Sequence, residues 1–229
     1  MKKIIALVAA AALSATVAFA EKTIHIGVQF PFSDLNISGF AVPVEIDGNT
    51  IVADGAGGDF SSSGAGGSFG YTYVADSGFT SKFGVGLAGI STSDIRTISG
   101  KNLAGVDFDL GLGLGGSFIH NERMTLSLTG DFGFQLKFLS GTESQEDGWG
   151  SHDIDTEILS AMFYIGPELS YTFRFGEHVG MFVSLGYFYN IGSSTCSAGT
   201  DDIVDIKASK AFTTSGFSFH PKFGLSISF

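Results

Sequence analysis

In residues 217–229 every second position is apolar: Phe217, Phe219, Pro221, Phe223, Leu225, Ile227 and Phe229, with Ser218, His220, Lys222, Gly224, Ser226 and Ser228 between them. An extended strand turns such sets to opposite faces. The same dyad sets Val106, Phe108, Leu110, Leu112 and Leu114 against Asp107, Asp109, Gly111, Gly113 and Gly115. It also sets Leu126, Leu128, Phe132, Phe134, Leu136 and Phe138 against Ser127, Thr129, Asp131, Gly133, Gln135 and Lys137. Extending the pattern predicts eight strands, near residues 22–32, 67–75, 80–90, 104–119, 124–139, 158–175, 179–192 and 212–229.

The connectors alternate in length. Tight turns are expected at 76–79, 120–123 and 176–178, and longer links at 33–66, 92–103, 140–157 and 193–211. In the first link, residues 40–46 and 50–53 flank Asp47-Gly48-Asn49, a hairpin signal that leaves ten strands open as the alternative. Both pieces are shorter than the roughly 9–11 residues of a tilted spanning strand, which favours a protruding hairpin. Residues 55–67, rich in Gly, Ser and Ala, read as a flexible loop.

Alternation alone does not say whether the apolar face meets a core or lipid, so a soluble lipocalin-type barrel competes with a membrane barrel. The polar face decides between them. It is rich in Gly, Ser and Thr and carries Asp107, Asp109, Asp131 and Glu168 with Lys82, Lys137, Arg174 and Lys222. Small residues and a few paired charges fill an eight-stranded lumen, whereas bulky Phe on every strand does not. Glycine on a water-facing strand would leave the backbone unshielded. The expected fold is therefore all-β: a closed antiparallel up-and-down transmembrane barrel with short turns at one rim and long outer loops at the other. Aromatics near strand ends, such as Phe32, Tyr71, Phe138, Phe173, Tyr187 and Tyr189, suit interfacial girdles.

Composition agrees with strands. The chain of 229 residues has 33 Gly and 23 Phe, and its 44 % apolar residues form no stretch long enough for a spanning helix. Residues 1–20 read as a cleaved export signal: Lys2 and Lys3, an apolar run over 4–13, then Ala18-Phe19-Ala20. Residues 21–229 then form a single domain with no lipid-anchoring cysteine at its start. Without Lys2 and Lys3 there are 10 basic against 23 acidic side chains, a net charge of −13, which argues against a nucleic-acid partner. Fifteen of the 23 acidic residues fall in the four longer links, so the outer rim should be strongly negative. Cys196 is the only cysteine and rules out an internal disulfide.

The last strand, with Phe223, Leu225, Ile227 and a terminal Phe229, resembles the assembly signal of bacterial outer-membrane proteins. With the export signal, strand count and loop asymmetry, the whole of 21–229 resembles the small eight-stranded outer-membrane barrels of the OmpX, OmpA-barrel and OmpW type; no motif selects a subfamily. The resemblance implies export to the bacterial outer membrane. It also implies contact with outer-membrane lipid and with the barrel-assembly machinery, and no OmpA-type periplasmic domain.

Catalytic chemistry finds little support. Ser151-His152-Asp153 are sequence neighbours and cannot by themselves align a nucleophile, base and orienting acid. Asp153, Asp155 and Glu157 are weak candidates for a divalent cation, but lack the glycine placement of a calcium loop. His25 and His220 lie on the polar faces of the first and last strands, which must pair if the barrel closes, so they are expected near one another in a lumen hydrogen-bond role. Residues 111–116 lie inside a strand and are no nucleotide loop, so no cofactor is implied. Trp149 at a loop tip is a candidate anchor for a partner or headgroup. The expected lumen network is Lys82, Asp107, Asp109, Asp131, Lys137, Glu168, Arg174, His220 and Lys222. Three roles fit such a barrel: a surface-displaying protein with a plugged lumen and acidic contact loops, a narrow channel for small or apolar solutes, and, least supported, a surface enzyme.

Overall fold

The computed structural model describes residues 21–38, 40–46, 49–55, 58–93, 103–147, 150–200 and 212–229. The signal segment, Trp149 and the acidic residues of 201–211 lie outside them. Apart from short turns and breaks the described chain is strand: β1 (Glu21–Gln29), β2 (Phe32–Ser38), β3 (Phe40–Ile46), β4 (Asn49–Gly55), β5 (Gly58–Val74), β6 (Phe79–Ser93), β7 (Ala104–His120), β8 (Met124–Asp147), β9 (Gly150–Arg174), β10 (Val179–Thr200) and β11 (Phe212–Ser228).

Nine of these segments form one antiparallel ring, β1-β11-β10-β9-β8-β7-β6-β5-β2, closed by the further pairings β1–β5 and β11–β2. Both β1 and β2 lie between β11 and β5, so they are two lengths of one stave, and the ring has eight staves. The break falls at Pro31, which has no N–H to give the ladder. Phe30 N–H still reaches Pro221 O at 3.0 Å, and Gly64 N–H reaches Pro31 O at 3.0 Å, so the stave is interrupted without leaving the wall. Closure satisfies the backbone along every spanning strand, which hydrocarbon demands.

The ten-strand alternative falls. β3 and β4 pair only with each other, Phe40 opposite Gly55 and Ile46 opposite Asn49, and continue the register of β2 with β5, in which Ile37 faces Gly58. They are the outer end of the first hairpin.

Two expectations are corrected. Residues 58–67 are the outer half of β5, not a flexible loop. Their glycines serve close approach: a Cβ at Gly64 or Gly66 would collide with the backbone of β6 at Gly89 or Leu87. The other long links are also largely strand where they are described. β8 and β9 stay paired out to Asp147 and Gly150, and β10 follows β9 to Thr200. Polar residues read as loop because they break the apolar dyad, yet ladder hydrogen bonds need only backbone. The short rim is as expected: Ala75 N–H donates to Phe79 O at 2.8 Å around Gly78, whose φ of 81° calls for glycine.

Phenylalanine, leucine, isoleucine and valine pave the outside, with Phe118 70 % and Phe163 67 % exposed, while serine, threonine and ionic residues point inward. The outward apolar run covers residues 24–32 of the first stave and 179–191 of β10, long enough for a tilted spanning strand. Beyond the outer edge of this belt the faces exchange chemistry. Asp34, Ser61, Ser91, Ser140, Glu157 and Ser193 are exposed on the outside. Leu35, Ile37, Phe60, Ala88, Ile90, Leu103, Leu139, Ile158 and Met162 form a buried cluster on the inside. The barrel is inside-out within the belt and has a conventional apolar core above it.

Candidate functional site

At the short-turn mouth the Glu21 carboxylate gathers four strands. It meets Arg174 of β9 at 2.9 Å and His120 of β7 at 3.4 Å, and accepts from Thr23 of β1 at 3.1 Å and Ser228 of β11 at 3.2 Å. Arg174 also donates to Asn121 O at 2.5 Å and to Thr125 at 3.3 Å. Further in lies a hydroxyl belt, in which Ser117 bridges Thr80 at 2.8 Å and Ser127 at 2.9 Å. Side chains with both a donor and an acceptor can satisfy one another across neighbouring strands without charge.

Mid-lumen, Lys82 binds Glu168 Oε1 directly, and Lys222 lies 3.6 Å from Glu168 Oε2. His25 hydrogen-bonds the Thr72 hydroxyl at 3.1 Å and meets Phe182 edge-on. These groups, with Asp109, Asp131 and Tyr164, line a void of about 50 Å³. Tyr164 packs on Phe188 with ring centroids 4.8 Å apart, and Phe188 meets His220 edge-on. Gly111 and Gly133 make room for the tyrosine, since a Cβ at either would collide with its phenol.

Outward of the aromatics, Lys137 Nζ is fully buried and donates to Asp107 Oδ2 at 2.8 Å, Ser33 at 2.9 Å and Ser62 at 3.4 Å. Gln135 donates to Asp107 at 2.9 Å and Gln29 to Asp109 at 3.0 Å. A buried ammonium is tolerable only when its donors are spent in this way. The apolar cluster lies beyond them, toward the outer end of the barrel.

The structure thus places Lys82, Asp107, Asp109, Asp131, Lys137, Glu168, Arg174, His220 and Lys222 all on the inward face, but divides them into separate groups. Glu168 with Lys82 and Lys222 is one, Asp107 with Lys137 another, and Arg174 joins Glu21 instead of a mid-lumen acid. The expected proximity of His25 and His220 is not found. β1 and β11 do pair, but in a register that sets His25 opposite Ser226, six residues along β11 from His220. The expectation that bulky rings stay out of the lumen is also corrected: Phe60, Tyr164, Phe182 and Phe188 are buried inside, the last three in space left by nearby glycines. Glu21, Gln29, Asn190 and the apolar plug went unrecognised in the sequence. For Leu139 and Ile158 a signal existed, because each stands out of phase with the outward apolar dyad of its strand.

Of the remaining candidates, Asp155 and Glu157 are exposed on β9, where Asp155 accepts from Thr142 at 2.6 Å. The side chain of Asp153 is outside the described residues, as are those of Ser151, His152 and Cys196. Among the described residues no three His, Cys, Asp or Glu side chains are arranged to hold a metal ion. Phe223, Leu225, Ile227 and Phe229 line the outward face of the closing strand and its end.

No family model and no curated protein matches the sequence. Among solved structures the chain is similar to the outer membrane protein OprG from Pseudomonas aeruginosa, at 11 % identity and a TM-score of 0.45 over 91 % of this chain and 95 % of that one. It is similar to a major outer membrane protein from Thermus thermophilus, at 14 % identity and a TM-score of 0.47 over 88 % of this chain and 99 % of that one. It is likewise similar to the outer membrane protease OmpT from Escherichia coli, at 10 % identity and a TM-score of 0.44 over 93 % of this chain and 98 % of that one. At these scores no residue role or activity passes from them to this chain.

Proposed function

We propose that the protein is an integral barrel of the bacterial outer membrane that displays an acidic contact surface and does not conduct through its lumen. The apolar exterior belt and the edge-free ring support a membrane setting. Both ends of the described barrel, Glu21 and Phe229, lie at the short-turn rim, the periplasmic one in such barrels. The long paired extension then projects outward, with Asp34, Asp59, Asp155 and Glu157 exposed on it.

The observation that supports the closed lumen is the buried apolar cluster of Leu35, Phe60, Leu139, Ile158 and their neighbours on the inward face, whose side chains offer water no hydrogen-bond partners. Within this reading, barrel-assembly machinery and outer-membrane lipid are the partners of the wall, and an extracellular protein or surface is the partner of the acidic extension.

A narrow passage for small or apolar solutes is the second reading, favoured by the mid-lumen void. Purified protein in a planar bilayer separates the two: the plugged barrel stays silent, and steady openings of the unmodified protein overturn it. A shift in gel migration between boiled and unboiled outer-membrane extract checks the location, and recovery of the protein in the soluble fraction would remove both readings.

A further inference from the structure

We propose that the mid-lumen chamber is a binding site for one small monovalent cation, of alkali-metal or ammonium type. Among the described residues the inward ionic side chains between the hydroxyl belt and the apolar cluster are Asp107, Asp109, Asp131 and Glu168 against Lys82, Lys137 and Lys222. The count leaves one negative charge in excess. Lys137 is taken by Asp107, and both other lysines by Glu168. Even if the second lysine on Glu168 is credited to Asp109, which otherwise receives only the neutral amide of Gln29, the Asp131 charge remains.

Asp131 is more than nine-tenths buried, lines the void, and has its Oδ1 without a hydrogen-bond partner. Ser68 Oγ and His25 Nδ1 border the same void and also lack partners. Lys82 and Lys222 face the same void, but three carboxylates, Asp109, Asp131 and Glu168, share these two ammoniums, and the buried carboxylate left over is costly unless a further positive charge joins it. The void of about 50 Å³ has that room: one water needs roughly 10–15 Å³ by the same measure, so an ion fits together with two or three waters. The unpartnered oxygens there are hard donors, Asp131 Oδ1 and Ser68 Oγ, and although Asp109, Glu168 and His25 border the same void, among the described residues no three carboxylate or histidine groups are arranged to favour a divalent ion. Between the chamber and the short-turn mouth the wall carries Thr23, Thr72, Thr80, Ser127 and Thr129, hydroxyls that suit a hydrated cation; the outer end is apolar.

The test uses the folded, processed barrel in neutral detergent. Retention of radioactive rubidium or sodium is measured together with the melting temperature in NaCl, KCl and NH4Cl against choline chloride at equal ionic strength. One ion retained per barrel and a rise of about 5 °C over choline for at least one small cation are expected when its concentration is about a hundredfold over Kd. Asp131→Asn should abolish both effects, and Ser68→Ala should weaken retention several-fold while leaving the barrel folded. Equal melting in all four salts with no retained ion overturns the proposal. So does a stabilisation that follows pH and ignores the cation, which would make a proton the occupant. Retention is read without any variant, and it is independent of whether the outer plug conducts.

Discussion

Leu139 stands one inward position beyond Lys137 on β8, and both side chains are fully buried. The lysine ends a polar lumen and the leucine begins an apolar core, while on the outer face Phe138 is exposed and Ser140 follows it. A barrel wall has no hydrophobic side of its own. The solvent outside determines which face must be apolar, and between these two residues that solvent changes from lipid to water.

Cations placed along the outer face should map this change. Leu112→Lys, in the middle of the β7 belt, is expected to destabilise the barrel by about 2–4 kcal/mol, whereas Ser140→Lys should fall within about 0–1 kcal/mol. Denaturant unfolding from lipid vesicles measures both, and equal costs would contradict the placement of the belt.

Lys137 tests the buried pair. Lys137→Met leaves Asp107 charged with only the Gln135 amide, and is expected to cost about 3–5 kcal/mol. Replacing both residues, as Lys137→Met with Asp107→Leu, should restore most of that loss, because no uncompensated charge remains. Unfolding midpoints of the two singles and the double give the coupling.

The tyrosine over the glycines makes a second cycle. Gly111→Ala is expected to destabilise by about 1–3 kcal/mol, since the new methyl meets the Tyr164 hydroxyl. In a Tyr164→Phe background the same substitution should be distinctly milder. A penalty that does not depend on Tyr164 would place the strain elsewhere in the wall.

Glu21 ties four strand ends together at the short-turn mouth, so Glu21→Ala should leave Arg174 with only neutral acceptors and cost about 1–3 kcal/mol. Amide exchange at the ends of β1, β7, β9 and β11 should rise together, because one carboxylate joins them. Exchange confined to β1 would show that the four ends are held independently.

The dyad of residues 106–114 and 126–138 was enough to predict strands, their approximate number and an apolar exterior, since side-chain alternation is a local property of extended chain. The turn chemistry of Asp47-Gly48-Asn49 likewise pointed to the protruding hairpin that β3 and β4 form. Tertiary structure alone decided which inward residues meet. Strand tilt and stagger slide each stave against the next, so His25 and His220 are separated along the β1–β11 seam, while Gln29 and Asp109, 80 residues apart, share a hydrogen bond. It also decided that 58–67 is wall, because the backbones of its neighbours fix that segment where its own side chains carry little pattern.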